Sequence, residues 1–317
     1  MIALYIILGV AAALAVLCLS ISSVCYFMVF HSPKQKKLAP DEYDIPKGEI
    51  YQEFRDAMIE WQKSIRSMPH EKIKISSHDG LILHGKYYEC DPDGPVEILF
   101  HGYKGNAERD MSGAVERCFA LGRNALIVSQ RGHGGSSGHT ITFGIKEKRD
   151  CISWINYASE RFGENKEIII TGISMGAATV LMAAGEDLPK NVVCVLADCG
   201  YSSPREIISK VMREMRLPVS LVYPFVKLGA RVFGGFDLEE DSPIEAMKRC
   251  KIPVIFIHGD NDDFVPVEMS REMYEVCSSP KKLVEIKGAG HGLAFPVDKE
   301  GYLNALREFE KVWRAHK

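Results

Sequence analysis

Ile168-Ile169-Ile170-Thr171-Gly172-Ile173-Ser174-Met175-Gly176 is the stretch from which the fold can be read. Three successive isoleucines read as a buried strand, and residues 177–184 that follow carry the pattern of a buried helix. Between them stands Gly-x-Ser-x-Gly. A chain that passes from strand to helix in so few residues must turn sharply. The turn strains the serine backbone and brings neighbouring chain close, which is why glycines flank the serine. It also lifts the hydroxyl clear of the sheet, beside the amino end of a helix whose dipoles favour developing negative charge. The pentapeptide alone is a weak signal, because Gly and Ser are common. The strand before it and the helix after it separate it from an accidental turn.

Outward from this point the pattern repeats. Short apolar runs at 96–100, 125–128, 168–171, 192–196, 254–257 and 283–286 alternate with helical periodicity over 113–121, 147–161, 175–184, 268–277 and 302–313. Near-continuous apolar strands alternating with helices predict a mostly parallel sheet covered on both faces. Upstream, Lys72-Ile73-Lys74-Ile75, the turn His78-Asp79-Gly80 and Leu81-Ile82-Leu83 predict a hairpin at one sheet edge. Phe54, Ala57, Met58, Trp61 and Ile65 predict a helix over 53–67. The alternation breaks between Leu196 and Val254, where no strand pattern occurs. Helical stretches at 204–216 and up to Phe233 predict an insertion over 201–243. It reads as a small lid above the carboxyl ends of the strands, where open α/β sheets bind ligands. The plainer alternative is one crossover with a long loop.

The amino end is of another kind. Residues 2–30 hold no charged side chain and are long enough to cross a bilayer with some tilt. A cleaved signal peptide fits poorly, since nothing basic precedes the run and the run exceeds a signal h-region. Leu17 and Val24, before Cys18 and Cys25, are bulkier than lipoprotein cleavage sites prefer. The expectation is a transmembrane anchor over 1–30, single-pass in the cell membrane. A linker over 31–50, with Pro33, Pro40, Pro46 and Gly48, leads to a domain over 51–317. Lys34, Lys36 and Lys37 follow the span and place that domain in the cytoplasm. The nine cysteines, odd in number and without a Cys-x-x-Cys pair, suit reduced thiols rather than disulfides or zinc. A net charge of -3 without a long basic run gives no reason to expect a nucleic-acid partner.

From about residue 72 onward the chain resembles the α/β-hydrolase superfamily, in pattern the lipase, esterase and serine-aminopeptidase-like branches with a small lid. The resemblance implies the α/β-hydrolase fold and a triad in chain order Ser, Asp or Glu, His. Ser174 is then the nucleophile. The base is expected after the last strand, where Gly288-Ala289-Gly290-His291-Gly292 offers His291 among small residues. The family spacing after His258-Gly259 points to Asp262 as the acid. Asp260 and Asp263 stand close enough to compete, and Asp198, at the end of the preceding strand, is a further alternative. The oxyanion hole is expected from the Met175 amide. By resemblance of His101-Gly102-Tyr103 to the family's His-Gly-x pattern, the Tyr103 amide would be its second donor. The glycine-rich run from Arg131 to Gly138 matches neither phosphate-binding pattern and resembles a structural loop of the superfamily. No His-Glu-x-x-His and no carboxylate cluster suggests a metal, and no cofactor is implied.

These residues imply a serine hydrolase that cleaves an ester, thioester or amide through an acyl-enzyme, with peptide cleavage the less expected activity. A non-catalytic binding protein on the same fold, or an acyltransferase, are the alternatives. Leu217, Leu221, Val222, Tyr223 and Phe225 in the lid suggest a small apolar acyl substrate.

Overall fold

Ile168, Ile169 and Ile170 lie near the middle of an eight-stranded sheet and are fully buried. A computed structural model describes residues 1–33 and 38–316 of the chain. Lys34, Lys36 and Lys37, which set the expected membrane side, lie outside the described residues. In chain order the strands are β1 (Glu71–Ser76), β2 (Ile82–Tyr88), β3 (Val96–Phe100), β4 (Asn124–Ser129), β5 (Ile168–Ile173), β6 (Val192–Asp198), β7 (Val254–Gly259) and β8 (Lys281–Ile286). The spatial order is β1-β2-β4-β3-β5-β6-β7-β8. β2 runs antiparallel to both β1 and β4, and all other pairs are parallel. The expected hairpin edge and parallel centre are both present.

Helices cover both faces. α1 (Ile2–Val29) precedes α2 (Arg55–Ser67), which starts two residues later than the sequence suggests, after a short turn of helix at Glu49–Tyr51. α3 (Ala107–Ala120), α4 (Glu147–Phe162) and α5 (Met175–Ala184) alternate with strands as expected. The insertion holds α6 (Pro204–Glu214) and α7 (Val219–Val232). α8 (Pro243–Arg249), α9 (Val267–Val276), α10 (Ala294–Val297) and α11 (Lys299–Ala315) complete the chain. Ile168 and Ile170 face a core shared with α4, α5 and α8. Ile169, Leu196, Ile255 and Ile257 point the other way, onto Leu306, Phe309 and Trp313 of α11. That alternation is the period-2 consequence of strand geometry, and burial on both sides explains the unbroken apolar runs. β3 carries the reversal of strand order, with β4 on one side and β5 on the other. Crevices at such reversals are where open sheets bind ligands, and the loops after β3 and β5 meet there.

Candidate active site

The turn from β5 to α5 is as sharp as its sequence requires. Ser174 has φ 56° and ψ -118°, a conformation that costs a non-glycine residue free energy and persists only where the surroundings enforce it. Two contacts enforce it. The Ser174 amide donates to Asp198 O at 2.9 Å. Gly176 lies so close to β3 that a Cβ there would sit 2.0 Å from Phe100 O. Every residue of α5 is buried, and its small side chains let the helix lie close to the sheet.

The loops after β7 and β8 converge on the serine. Asn261 donates its amide to Ala289 O at 3.1 Å, and a Cβ on Gly259 would fall 2.1 Å from that oxygen. The contact brings Asp262 and His291 together. His291 Nδ1 lies 2.7 Å from Asp262 Oδ2, and His291 Nε2 lies 3.0 Å from Ser174 Oγ. An ionised carboxylate only accepts, so Nδ1 carries the proton and Nε2 is left to accept from the hydroxyl. Burial would raise the Asp262 carboxyl. Hydrogen bonds from His258 and His291 outweigh burial and hold it well below the usual carboxylate range. Its other oxygen accepts the amides of Phe264 and Val265 at 2.9 and 2.8 Å.

The competing carboxylates have other partners. Asp260 accepts the Gly288 amide at 2.6 Å and so shapes the histidine loop. Asp263 is exposed, and its carbonyl accepts from Lys210. Asp198 is buried and accepts from the Tyr302 hydroxyl at 2.9 Å. Burial raises its carboxyl.

The loop after β3 lies against the nucleophile, with Gly102 positioned so that a Cβ would come 3.6 Å from Ser174 Cβ. The turn from Gly102 to Gly105 sets Tyr103 at this wall, and Lys104 takes φ 50° within it. His101 fixes the loop from below. The Gln130 amide donates to its Nε2 at 3.1 Å, so Nδ1 holds the proton and donates to Gly102 O at 2.8 Å. Burial, with His133 adjacent, pushes the His101 imidazole down to about 3, so it stays neutral. Met175 opens α5, where an amide has no carbonyl within its own helix. The Arg131–Gly138 loop stays structural. Arg131 pairs with Asp150 at 2.7 and 2.6 Å and with Asp79 at 2.9 and 3.1 Å.

A cavity of about 560 Å³ opens beside Ser174 and His291. Ile50, Tyr51, Met58, Trp61, Phe264 and Phe295 form much of its apolar wall. Toward Arg117 and Asp198 it becomes polar, and Arg117 Nη1 and Asp198 Oδ1 have no hydrogen-bond partner among the described residues. This is not the wall the sequence suggested. None of the described residues of 201–243 lines the cavity, and Leu217, Leu221, Val222, Tyr223 and Phe225 lie elsewhere. Instead Pro46 to Ile50, the end of the expected linker, and Tyr51 close one side. The Tyr51 hydroxyl donates to His291 O at 3.0 Å. α6 reaches the site only at its edge, where Lys210 stands 5.5 Å over the Phe264 ring, itself edge-on to His291 at 5.0 Å.

Sequence reasoning missed Tyr51 and His258. Nothing local marks Tyr51, because its partner is 240 residues away. His258 was visible in the His-Gly pair, but its role was not. Its Nε2 donates to Val265 O at 2.8 Å and reaches Asp262 Oδ2 at 3.3 Å, so its Nδ1 accepts from Ser270 Oγ at 2.7 Å. It braces the same carboxylate oxygen that faces His291.

The chain is similar to several known proteins. A family model described as serine aminopeptidase, S33, matches residues 92–235. The uncharacterized protein YqkD of Bacillus subtilis is 29% identical over 249 residues, 78% of this chain and 81% of that protein. Protein bem46 of Schizosaccharomyces pombe is 25% identical over 68% of each chain. Among solved structures, an esterase of Pyrococcus furiosus, Pf2001, covers 90% of this chain and 99% of its own at a TM-score of 0.67 and 24% identity.

Proposed function

We propose that this chain, which has the α/β-hydrolase fold, is a serine hydrolase that cleaves small carboxylic esters through an acyl-enzyme. The observation that carries the reading is the line Ser174–His291–Asp262, at 3.0 and 2.7 Å, on a strained strand-to-helix turn. His291 Nε2 takes the Ser174 proton as Oγ attacks the ester carbonyl. The Met175 and Tyr103 amides hold the resulting oxyanion. Collapse breaks the acyl–oxygen bond, and the leaving alkoxide takes the proton from His291. Water, deprotonated by His291, then attacks the acyl-enzyme and releases the acid. Asp262, kept ionised by its hydrogen bonds, fixes the imidazole orientation and stabilises its cation.

The apolar wall of Met58, Trp61 and Phe295 supports an acyl group of modest size over a peptide, whose backbone would bury polar groups there unpaired. The likeness to an esterase supports the ester as the bond cleaved. The full chain, purified in detergent, should hydrolyse p-nitrophenyl esters, and Ser174→Ala should remove about 10⁴-fold or more of kcat. Hydrolysis that survives Ser174→Ala would refute the mechanism.

α1 supports retention at a membrane. It is long and apolar enough to cross a bilayer, and residues 2–21 are almost wholly exposed. Its last turns are part of the folded domain, since Tyr26 and Phe30 join the main core. Cleavage as a leader would strip those residues from that core. The lysines after the span favour a cytoplasmic domain. Protease outside intact cells should leave it uncut, and digestion from outside would reverse that orientation.

A further inference from the structure

The insertion helix α7 presents the wrong face to water. Residues 217–226 contain no charged side chain, with Arg213, Glu214 and Arg216 before them and Lys227 and Arg231 after. Two polar side chains of α7 share one carboxylate at its flank. Tyr223 donates to Glu239 at 3.1 Å beneath the Arg205 guanidinium, and Lys227 pairs with the same Glu239. Its outward side carries Leu221, Pro224 and Val232, with Leu221 64% and Val232 51% exposed. Leu217 and Phe233, at its two ends, are exposed as well.

α7 is also the element on which α1 docks. Gly229 approaches α1 so closely that a Cβ would lie 2.5 Å from Ser22 O, and the Tyr26 and Phe233 rings are 6.0 Å apart. Small residues at such a crossing let two helix backbones meet, as in membrane helix pairs. On α1, exposure drops at Cys18, Ser22, Cys25, Tyr26 and Val29, which share one face. Away from that face Leu14, Leu17 and Ile21 stay bare. The exposed apolar sides of the two helices therefore adjoin. The end of α1 reaches the site loop too: the Tyr103 hydroxyl donates to Val29 O at 2.6 Å, and Lys104 Nζ to Met28 O at 3.2 Å.

We propose that α7 is a second membrane contact, lying in the lipid leaflet against α1 with Leu217, Leu221 and Pro224 among the acyl chains. This rests on the reading that α1 spans the bilayer. A monomer seldom leaves such a contiguous apolar patch in water, and lipid is the one occupant already adjoining it if α1 is a span. Arg213, Arg216, Lys227 and Arg231 then stand at headgroup level, where basic side chains are favoured. The insertion anchors the domain rather than covering its cavity, and the end of α1 holds the Tyr103 loop at the membrane surface.

Single tryptophans test this in the full chain, reconstituted in phosphatidylcholine vesicles with brominated acyl chains. The parent has only Trp61, Trp154 and Trp313 as background. Leu14→Trp probes α1, Leu221→Trp probes α7, and Val312→Trp probes an exposed domain surface. Fluorophosphonate labelling of each variant checks that it is folded, and Leu217→Trp replaces Leu221→Trp should the latter fail. The proposal expects the added emission of both Leu14→Trp and Leu221→Trp to be lost to bromolipid, with Val312→Trp unaffected. Quenching of Leu14→Trp without Leu221→Trp would leave the span intact and overturn the α7 contact. Quenching of neither would remove the span and the proposal together. Emission of Leu221→Trp shielded from iodide yet untouched by bromolipid, in a chain that cross-links as a dimer, would assign the patch to a second copy and also overturn it.

Discussion

Asp262 sits between two histidines and accepts two backbone amides, so nearly every lone pair it has is used. Three aspartates within four positions are close to equivalent in sequence, and only the fold of the loop says which faces the imidazole. Asp262→Asn should therefore lower kcat for ester hydrolysis by about 10⁴-fold, because an amide can hold the wrong histidine tautomer. Asp263→Asn, at an exposed position, should leave kcat nearly unchanged. Steady-state kinetics on the two variants checks this, and a larger loss from Asp263→Asn would contradict the assignment. Tyr51 acts at one remove, through the His291 carbonyl. Tyr51→Phe removes about 1 kcal/mol of positioning, read as a roughly fivefold fall in kcat with KM little changed. An unchanged kcat would show that the contact does not hold the histidine.

Among the elements, β3 and α5 carry the geometry that the site depends on. Gly176 is held against Phe100 O, so Gly176→Ala should separate β3 from α5 and cost about 1–3 kcal/mol or more of unfolding free energy. Fluorophosphonate labelling should fall with it. β3 is also tied to α3 and β5 by Glu97, fully buried between Arg117 and Arg123 and accepting from Thr171 at 2.6 Å. Burial alone would raise this carboxyl. The two guanidiniums outweigh it and bring the carboxyl from its ordinary 4.5 down to about 2. A carboxyl lowered on folding stabilises the native state above its unfolded pKa. That contribution is fully present above roughly pH 4.5 and is lost as pH falls toward 2. Glu97→Gln should flatten the acid-unfolding curve in that window. It should also cost about 3–5 kcal/mol near neutral pH by leaving buried Arg117 without its carboxylate and Arg123 with Glu310 alone. Denaturant titrations across pH test both parts. These core elements were legible in the sequence because buried parallel strands are continuous apolar runs, and because the serine turn needs its glycines. Pro46 to Tyr51 was not legible as a wall, since a single wrap of chain over a cavity has no period to detect. α7 misled for a related reason: apolar residues above a sheet look the same whether a substrate or a bilayer covers them.

At the scale of the whole molecule, the last turns of α1 and the α/β domain are one folded body. Phe30 is fully buried, edge-on to Phe143 at 5.8 Å and to Phe236 at 5.3 Å. Phe30→Ala should lower unfolding free energy by about 3–5 kcal/mol, the cost of a buried phenylalanine in a packed core. A Tm unchanged from the parent would show that the end of α1 hangs free. The sequence marked this helix by its lack of charge, which sets its length and apolar character but does not say that protein covers its last turns. Ser174 as the nucleophile is tested by mapping where a fluorophosphonate reacts. The full chain is treated with a fluorophosphonate, digested, and the adduct located by mass spectrometry. A single adduct on the peptide carrying Ser174, absent in Ser174→Ala, is the predicted result. No adduct on the folded protein, or one on another residue that persists in Ser174→Ala, would contradict it.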